Sequence, residues 1–324
     1  MDTLVWTLFF LGFSLCAADE DDAFTHQQEE NIAIVSIFFS CISFCGSSFI
    51  VFMYIRHPQL RSFVFQLVVW ISASDIMYSI ANAIGNPSDG SAACYTQAIM
   101  IQFFGLSSML WTVTIAYTVD RVYLKGRSIE EAAEIKKTFH YIVWGISLLL
   151  TILPATTGNY GQSTGWCWID VKENAEAGTA WRFVTFYIPL WLVAGYNLSV
   201  YAHVRSALNA AVEQGGENAG NIAGLQRMVY YPLVLVVCYI FGTISRIQQI
   251  FGPPVYGLVI LHTIGMSSQG TLNALVYGLT PSVKRVMCGE GSKLDEPSVQ
   301  NVDRMDDGLV SVGLDDAKSG DAHL

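Results

Sequence analysis

Seven apolar segments of roughly bilayer-spanning length, at about 31–55, 62–84, 94–120, 138–157, 181–204, 226–250 and 255–279, leave this chain few folds to choose from. A helix rises about 1.5 Å per residue, so about 20 apolar residues cross a hydrocarbon core of about 30 Å. Inside lipid every backbone amide must find its partner within the protein, which restricts spanning structures to helices or closed barrels. The expected fold is an all-α membrane protein, a seven-transmembrane helix bundle occupying 31–287. Composition agrees: 52% of residues are hydrophobic and only 14% charged, against about 25% charged in soluble domains.

Both ends differ from this core. Residues 1–18 form an apolar run closing on Cys16-Ala17-Ala18, which reads as a signal peptide. The run contains no Lys or Arg, so an additional membrane anchor stands as the alternative. An acidic extracellular segment covers 19–30, and 288–324, rich in Ser, Gly and Asp, is expected to be a disordered cytoplasmic tail. The net charge of −10 lies largely in these two ends, which argues against a nucleic-acid partner. Lys and Arg sort by side: with the mature N-terminus outside, fourteen fall on the inner side and only Lys172, Arg182 and Arg246 on the outer. That asymmetry orients the bundle with its N-terminus out and its C-terminus in. The chain is thus expected to be a multi-pass protein of the plasma membrane.

The third segment, from Cys94 to Tyr123, carries Gln97, Gln102, Ser107, Ser108, Thr112 and Thr114 among its apolar residues and is expected to be the central helix, surrounded by others. Cys94 at its outer start and Cys167 in the loop between spans four and five are the two cysteines placed to pair in an oxidising compartment; two free thiols are the alternative. Asp75 is the one carboxylate well inside a span, a costly position unless it faces the bundle interior and finds partners. With Ser108 (or Ser74) and Asn273 it makes either a protonatable or cation-binding switch, or a fixed polar knot joining helices two, three and seven. Arg246, near the outer end of span six, either clamps an anionic ligand or reaches for the lipid headgroups. Gln249, Gln102 and His262 complete the ligand-pocket candidates. Pro189 and Pro232 make plausible bends in spans five and six. Cys288, following Lys284-Arg285, is a lipidation candidate, with a plain thiol as the alternative. No catalytic or metal-binding motif lies in a span, and span seven has no Lys for a retinal Schiff base, so neither enzymatic activity nor a cofactor or metal is expected.

The stretches LWTVTIAYTVDR (110–121), GWCWI (165–169), FVTFYIPLW (183–191), YYPLVLV (230–236), FGTISRI (241–247) and NALVYG (273–278) together resemble the slime-mould cyclic-AMP-receptor-like class of G-protein-coupled receptors, closest to its plant and protist members. The resemblance runs through all seven spans. It implies a receptor passing an extracellular signal to a heterotrimeric G protein, and it supports the Cys94–Cys167 bridge. It gives Arg121 the part of the cytoplasmic arginine of helix three and makes Arg246 a shared feature of span six. Asp120, Asn273, Tyr277 and Pro232 join Arg121 as expected coupling and activation residues. Two departures separate the chain from rhodopsin-like receptors: Cys94 and Arg121 lie 27 positions apart, against about 25 in that class, and Asn273–Tyr277 has no proline. The expected partners are a G protein, an extracellular ligand of open identity (cyclic AMP follows only from the class name), membrane lipid and a second copy in a homodimer. The rival reading is a transporter or channel running a proton or cation past Asp75 and His262; a membrane scaffold is a third.

Overall fold

The computed structural model describes residues 24–121, 131, 134–171, 175–213, 231–278 and 280–287. Among these, the helices are α1 His26–Arg56, α2 Phe63–Asn82, α3 Ala92–Val119, α4 Lys136–Ala155, α5 Ala175–Arg182, α6 Ile188–Glu213, α7 Tyr231–Phe251, α8 Tyr256–Ser267, α9 Gln269–Gly278 and α10 Pro281–Met287. Six helical stretches are long and apolar enough to cross a membrane, and a seventh is divided between α8 and α9. Two units are distinguished, Met1–Val283 with the bundle and Lys284–Leu324. The signal-peptide reading of 1–18, the tail, Cys288 and most of the loop between spans five and six lie outside the described residues.

Polar residues just before the apolar runs set where helices start. Thr25 and Gln28 form a reciprocal capping box at α1, so this helix begins at His26, ahead of the boundary near residue 31 that hydropathy gives. Ser62 and Ser91 accept the Phe65 and Cys94 amides at α2 and α3. Span five runs from α5 through a π-helical turn, Phe183–Tyr187, into α6. Pro189, the second residue of α6, lies just beyond this turn and has no amide proton to donate into a regular ladder.

Helix α3 is central: it packs against α2, α4, α6 and α7, and its buried residues, from Cys94 to Val119, lie all around its circumference. Span seven closes against α1 through small side chains. Ser36, Ser40, Ser43 and Ser47 are buried along α1 at helical spacing. A Cβ on Gly270 would lie 2.5 Å from Ser47 Oγ and 3.2 Å from Asp75 Cβ, so only glycine fits at that crossing. Next to the break at Ser268, the Thr271 amide in the first turn of α9 donates to Ser43 Oγ at 3.0 Å.

Two short antiparallel strands, β1 Tyr160–Gln162 and β2 Cys167–Ile169, form a hairpin between spans four and five. Its turn places Gly165 at φ +85°, and a Cβ there would lie 2.8 Å from Ile32 Cγ2, which seats the turn on α1.

Candidate functional site

The Cys94–Cys167 disulfide joins the start of α3 to β2, as the sequence reading anticipated. The strand is also held without it. The Cys167 amide donates to Gln97 Oε1 at 2.7 Å, while Gln97 Nε2 donates to the Ala81 and Gly85 carbonyls. Gln102 Oε1 accepts the Trp168 indole N–H at 2.8 Å, and Gln102 Nε2 donates to Thr185 Oγ1. The Tyr160 hydroxyl donates to the Thr151 carbonyl at 2.8 Å; burial pushes this phenol well above its ordinary range and keeps it a donor.

At the hairpin end lies a cavity of about 330 Å³, bordered by Arg182, Arg246, Gln249, Phe183, Phe24 and Glu29. Arg246 is buried, with its guanidinium 5.7 Å from the Trp166 ring and 5.5 Å from the Trp168 ring. Its Nη1 donates to Gln249 Oε1 at 2.7 Å, and Gln249 Nε2 donates to Ser245 Oγ at 3.0 Å. Arg182, equally buried, donates through Nε to the Ile169 carbonyl at 2.9 Å and through Nη2 to Ser163 Oγ at 3.1 Å. Its Nη1 reaches the same Gln249 oxygen at 3.5 Å. Two buried cations thus share one amide acceptor, and among the described residues neither makes an ion pair with a carboxylate. Aromatic faces take part of that place.

Of the four ligand-pocket candidates, Arg246 and Gln249 line this cavity. Gln102 lies beneath the hairpin on Trp168 and Thr185, and His262 packs 5.6 Å from the Trp166 ring. Arg182 was visible in the sequence only as one of three outer cations.

A second polar cluster lies within the bundle. Asp75 Oδ1 accepts from Ser108 Oγ at 2.6 Å and Gln269 Nε2 at 3.1 Å, and Oδ2 accepts from Asn273 Nδ2 at 2.7 Å. Gln269 Nε2 also donates to Ser108 Oγ at 2.8 Å. The structure brings together Asp75, Ser108 and Asn273, joining spans two, three and seven. Ser74 instead donates to the Trp70 carbonyl. Gln269 is an unanticipated member, although it stands one helical turn before Asn273 on the same face. None of the described hydrogen bonds links His262 to Asp75.

At the opposite end of α3, the Arg121 guanidinium lies over the Tyr117 ring at 5.1 Å. Asp120 precedes it, and 122–130 are outside the described residues. Tyr277 is buried near the end of span seven, its ring edge-on to Phe65 at 5.2 Å. Pro232 is the second residue of α7, and the segment before it is likewise outside the described residues.

The profile of the slime mold cyclic AMP receptor family matches residues 24–287. The chain is 35% identical to G-protein coupled receptor 1 of Arabidopsis thaliana, over 76% of this chain and 78% of that protein. It is 25% identical to cyclic AMP receptor-like protein A of Dictyostelium discoideum, over 80% and 67% respectively. Mouse G-protein coupled receptor 157 is 26% identical, over 75% of this chain and 80% of its own length. Squid rhodopsin superposes with a TM-score of 0.60 at 15% identity, covering 83% of this chain and 86% of that one, a likeness of fold.

Proposed function

The chain belongs to the slime mold cyclic AMP receptor family and is a multi-pass G-protein-coupled receptor, and from that premise we propose how its parts divide the work. The hairpin end faces outward at the plasma membrane, with the N-terminus outside, in keeping with the distribution of Lys and Arg. A small ligand occupies the cavity beside Arg182, Arg246 and Gln249. Cyclic AMP, which appears in the name of the Dictyostelium relative, is one candidate. The observation that carries this reading is the cavity itself, which lies against α7 at Arg246 and Gln249 and against span five at Arg182 and Phe183.

A ligand shifts an equilibrium only if it binds one arrangement better than the other; a hundredfold preference is worth about 2.7 kcal/mol. Contacts on spans five and six let such a preference act on their relative position. The Asp75 cluster holds spans two, three and seven as the frame against which they move. Pro232 supplies the bend in span six. Arg121, with Asp120, Asn273 and Tyr277, serves coupling on the inner side. The receptor has no enzymatic activity of its own.

The test is capture of a G protein. Receptor purified with a heterotrimer in the absence of nucleotide should retain it, and GTPγS should release it. Failure to retain any heterotrimer, or retention that GTPγS leaves unchanged, would refute coupling.

A further inference from the structure

Spans six and seven touch backbone to backbone towards the hairpin end, and two glycines make the contact possible. A Cβ on Gly265 of α8 would run into the Cys238 carbonyl oxygen of α7. A Cβ on Gly242 of α7 would lie 2.5 Å from Cδ2 and 2.7 Å from Nε2 of His262. The imidazole of His262 thus fills a notch that only glycine leaves open, and at 3% exposure it is enclosed there. Its Nδ1 is buried without a hydrogen-bond partner among the described residues, so its hold on the notch is one of shape. Trp166 of the hairpin covers the ring edge-on at 5.6 Å. The same indole lies 5.7 Å from the guanidinium of Arg246, one turn beyond Gly242 on span six. One hairpin side chain therefore rests on both spans at the notch. Span seven is itself held to the rest of the bundle: Ser267 Oγ lies 3.4 Å from Ser36 Oγ of α1, and Gln269 and Asn273 donate to Asp75. Helices in backbone contact cannot slide or turn past each other without opening that contact, which leaves tilting about the crossing as the available motion.

We infer that His262, seated against Gly242 beneath Trp166, is a latch: its ring fixes the tilt of span six on span seven, and its departure from the notch lets the end of span six remote from the hairpin swing away from the bundle. This rests on the reading of span six as a moving element, but it concerns the receptor alone and is measured without ligand or G protein, so the failure of coupling is not the failure of the latch.

The test is a distance across the bundle, from Leu233 of span six to Tyr141 of α4, both exposed and both at the end remote from the hairpin. Each is replaced by p-acetylphenylalanine and spin-labelled there, which leaves the native cysteines unlabelled, and the distance is read by double electron–electron resonance on the full receptor in lipid nanodiscs. In the otherwise unchanged receptor a shorter distance should dominate, with a longer one at about 10% or less. His262→Ala should make the longer distance the larger population. His262→Phe, which keeps a flat ring in the notch, should stay with the shorter one. A residue that only packs, with no part in the tilt, would lower the melting temperature in His262→Ala and leave the distances as they were. Gly242→Ala, whose methyl group takes the place of the ring, should give the longer distance as His262→Ala does, and it decides the matter where His262→Ala does not fold. The inference is overturned by an unchanged distance distribution in folded His262→Ala or folded Gly242→Ala, or by His262→Phe opening the receptor as far as His262→Ala does.

Discussion

Asp75 shows how a single residue constrains a bundle. A carboxylate within a span is disfavoured unless polar groups converge on it, and three side chains from two other spans do so. Replacing it by Ala removes all three bonds; at about 0.6 kcal/mol each for hydrogen bonds between membrane helices, the loss is about 2 kcal/mol. Asp75→Ala should therefore lower the melting temperature of the receptor in detergent, and Asp75→Asn, which retains one carbonyl acceptor, should lower it less. An equal loss from both would show that the negative charge itself carries the interaction. The sequence exposed Asp75 because an ionisable residue in an apolar run has few unremarkable explanations. It hid Gln269, whose amide is ordinary in a helix and gains meaning only from the carboxylate facing it. Arg182 was hidden for a similar reason: one cation at a helix end is commonplace, and its convergence with Arg246 on Gln249 is a property of the fold.

At the scale of elements, the hairpin and the broken seventh span do most to shape the receptor. The hairpin is tied to α3 by a disulfide and by Gln97, and these restraints act together on one strand. Cys167→Ser should cost about 2–5 kcal/mol, seen as a fall in melting temperature. Adding Gln97→Ala should speed amide exchange through 160–169 beyond the effect of either change alone. The bridge was legible in the sequence, since only two cysteines lay beside loops on the same side. The strands were not, because three residues on each side are too few to show an alternating pattern. Span seven read as one continuous apolar segment, yet its helix is interrupted at Ser268, because the close approach to α1 at Gly270 and the Ser43 oxygen offered to Thr271 make a break affordable there. Gly270→Ala should destabilise the bundle by about 1–3 kcal/mol through overpacking, and Ser47→Ala should restore part of the loss by removing the oxygen that the new methyl group meets.

For the whole molecule, the number and order of the spans followed from length and hydropathy, because lipid leaves a chain so few ways to satisfy its backbone. The coupling surface is a different matter: apolar periodicity carries no information about which inner ends engage a partner, and the role proposed for Arg121 rests on resemblance to relatives. The central claim, that this bundle acts on a G protein through Arg121, is tested most directly by nucleotide exchange. GTPγS uptake would be measured for a purified heterotrimeric G protein reconstituted with the receptor, across a panel of small molecules that includes cyclic AMP. Uptake should accelerate in at least one condition, and Arg121→Ala should remove the acceleration without altering the melting temperature. Uptake that never departs from the receptor-free rate, or an acceleration that survives Arg121→Ala unchanged, would contradict the account.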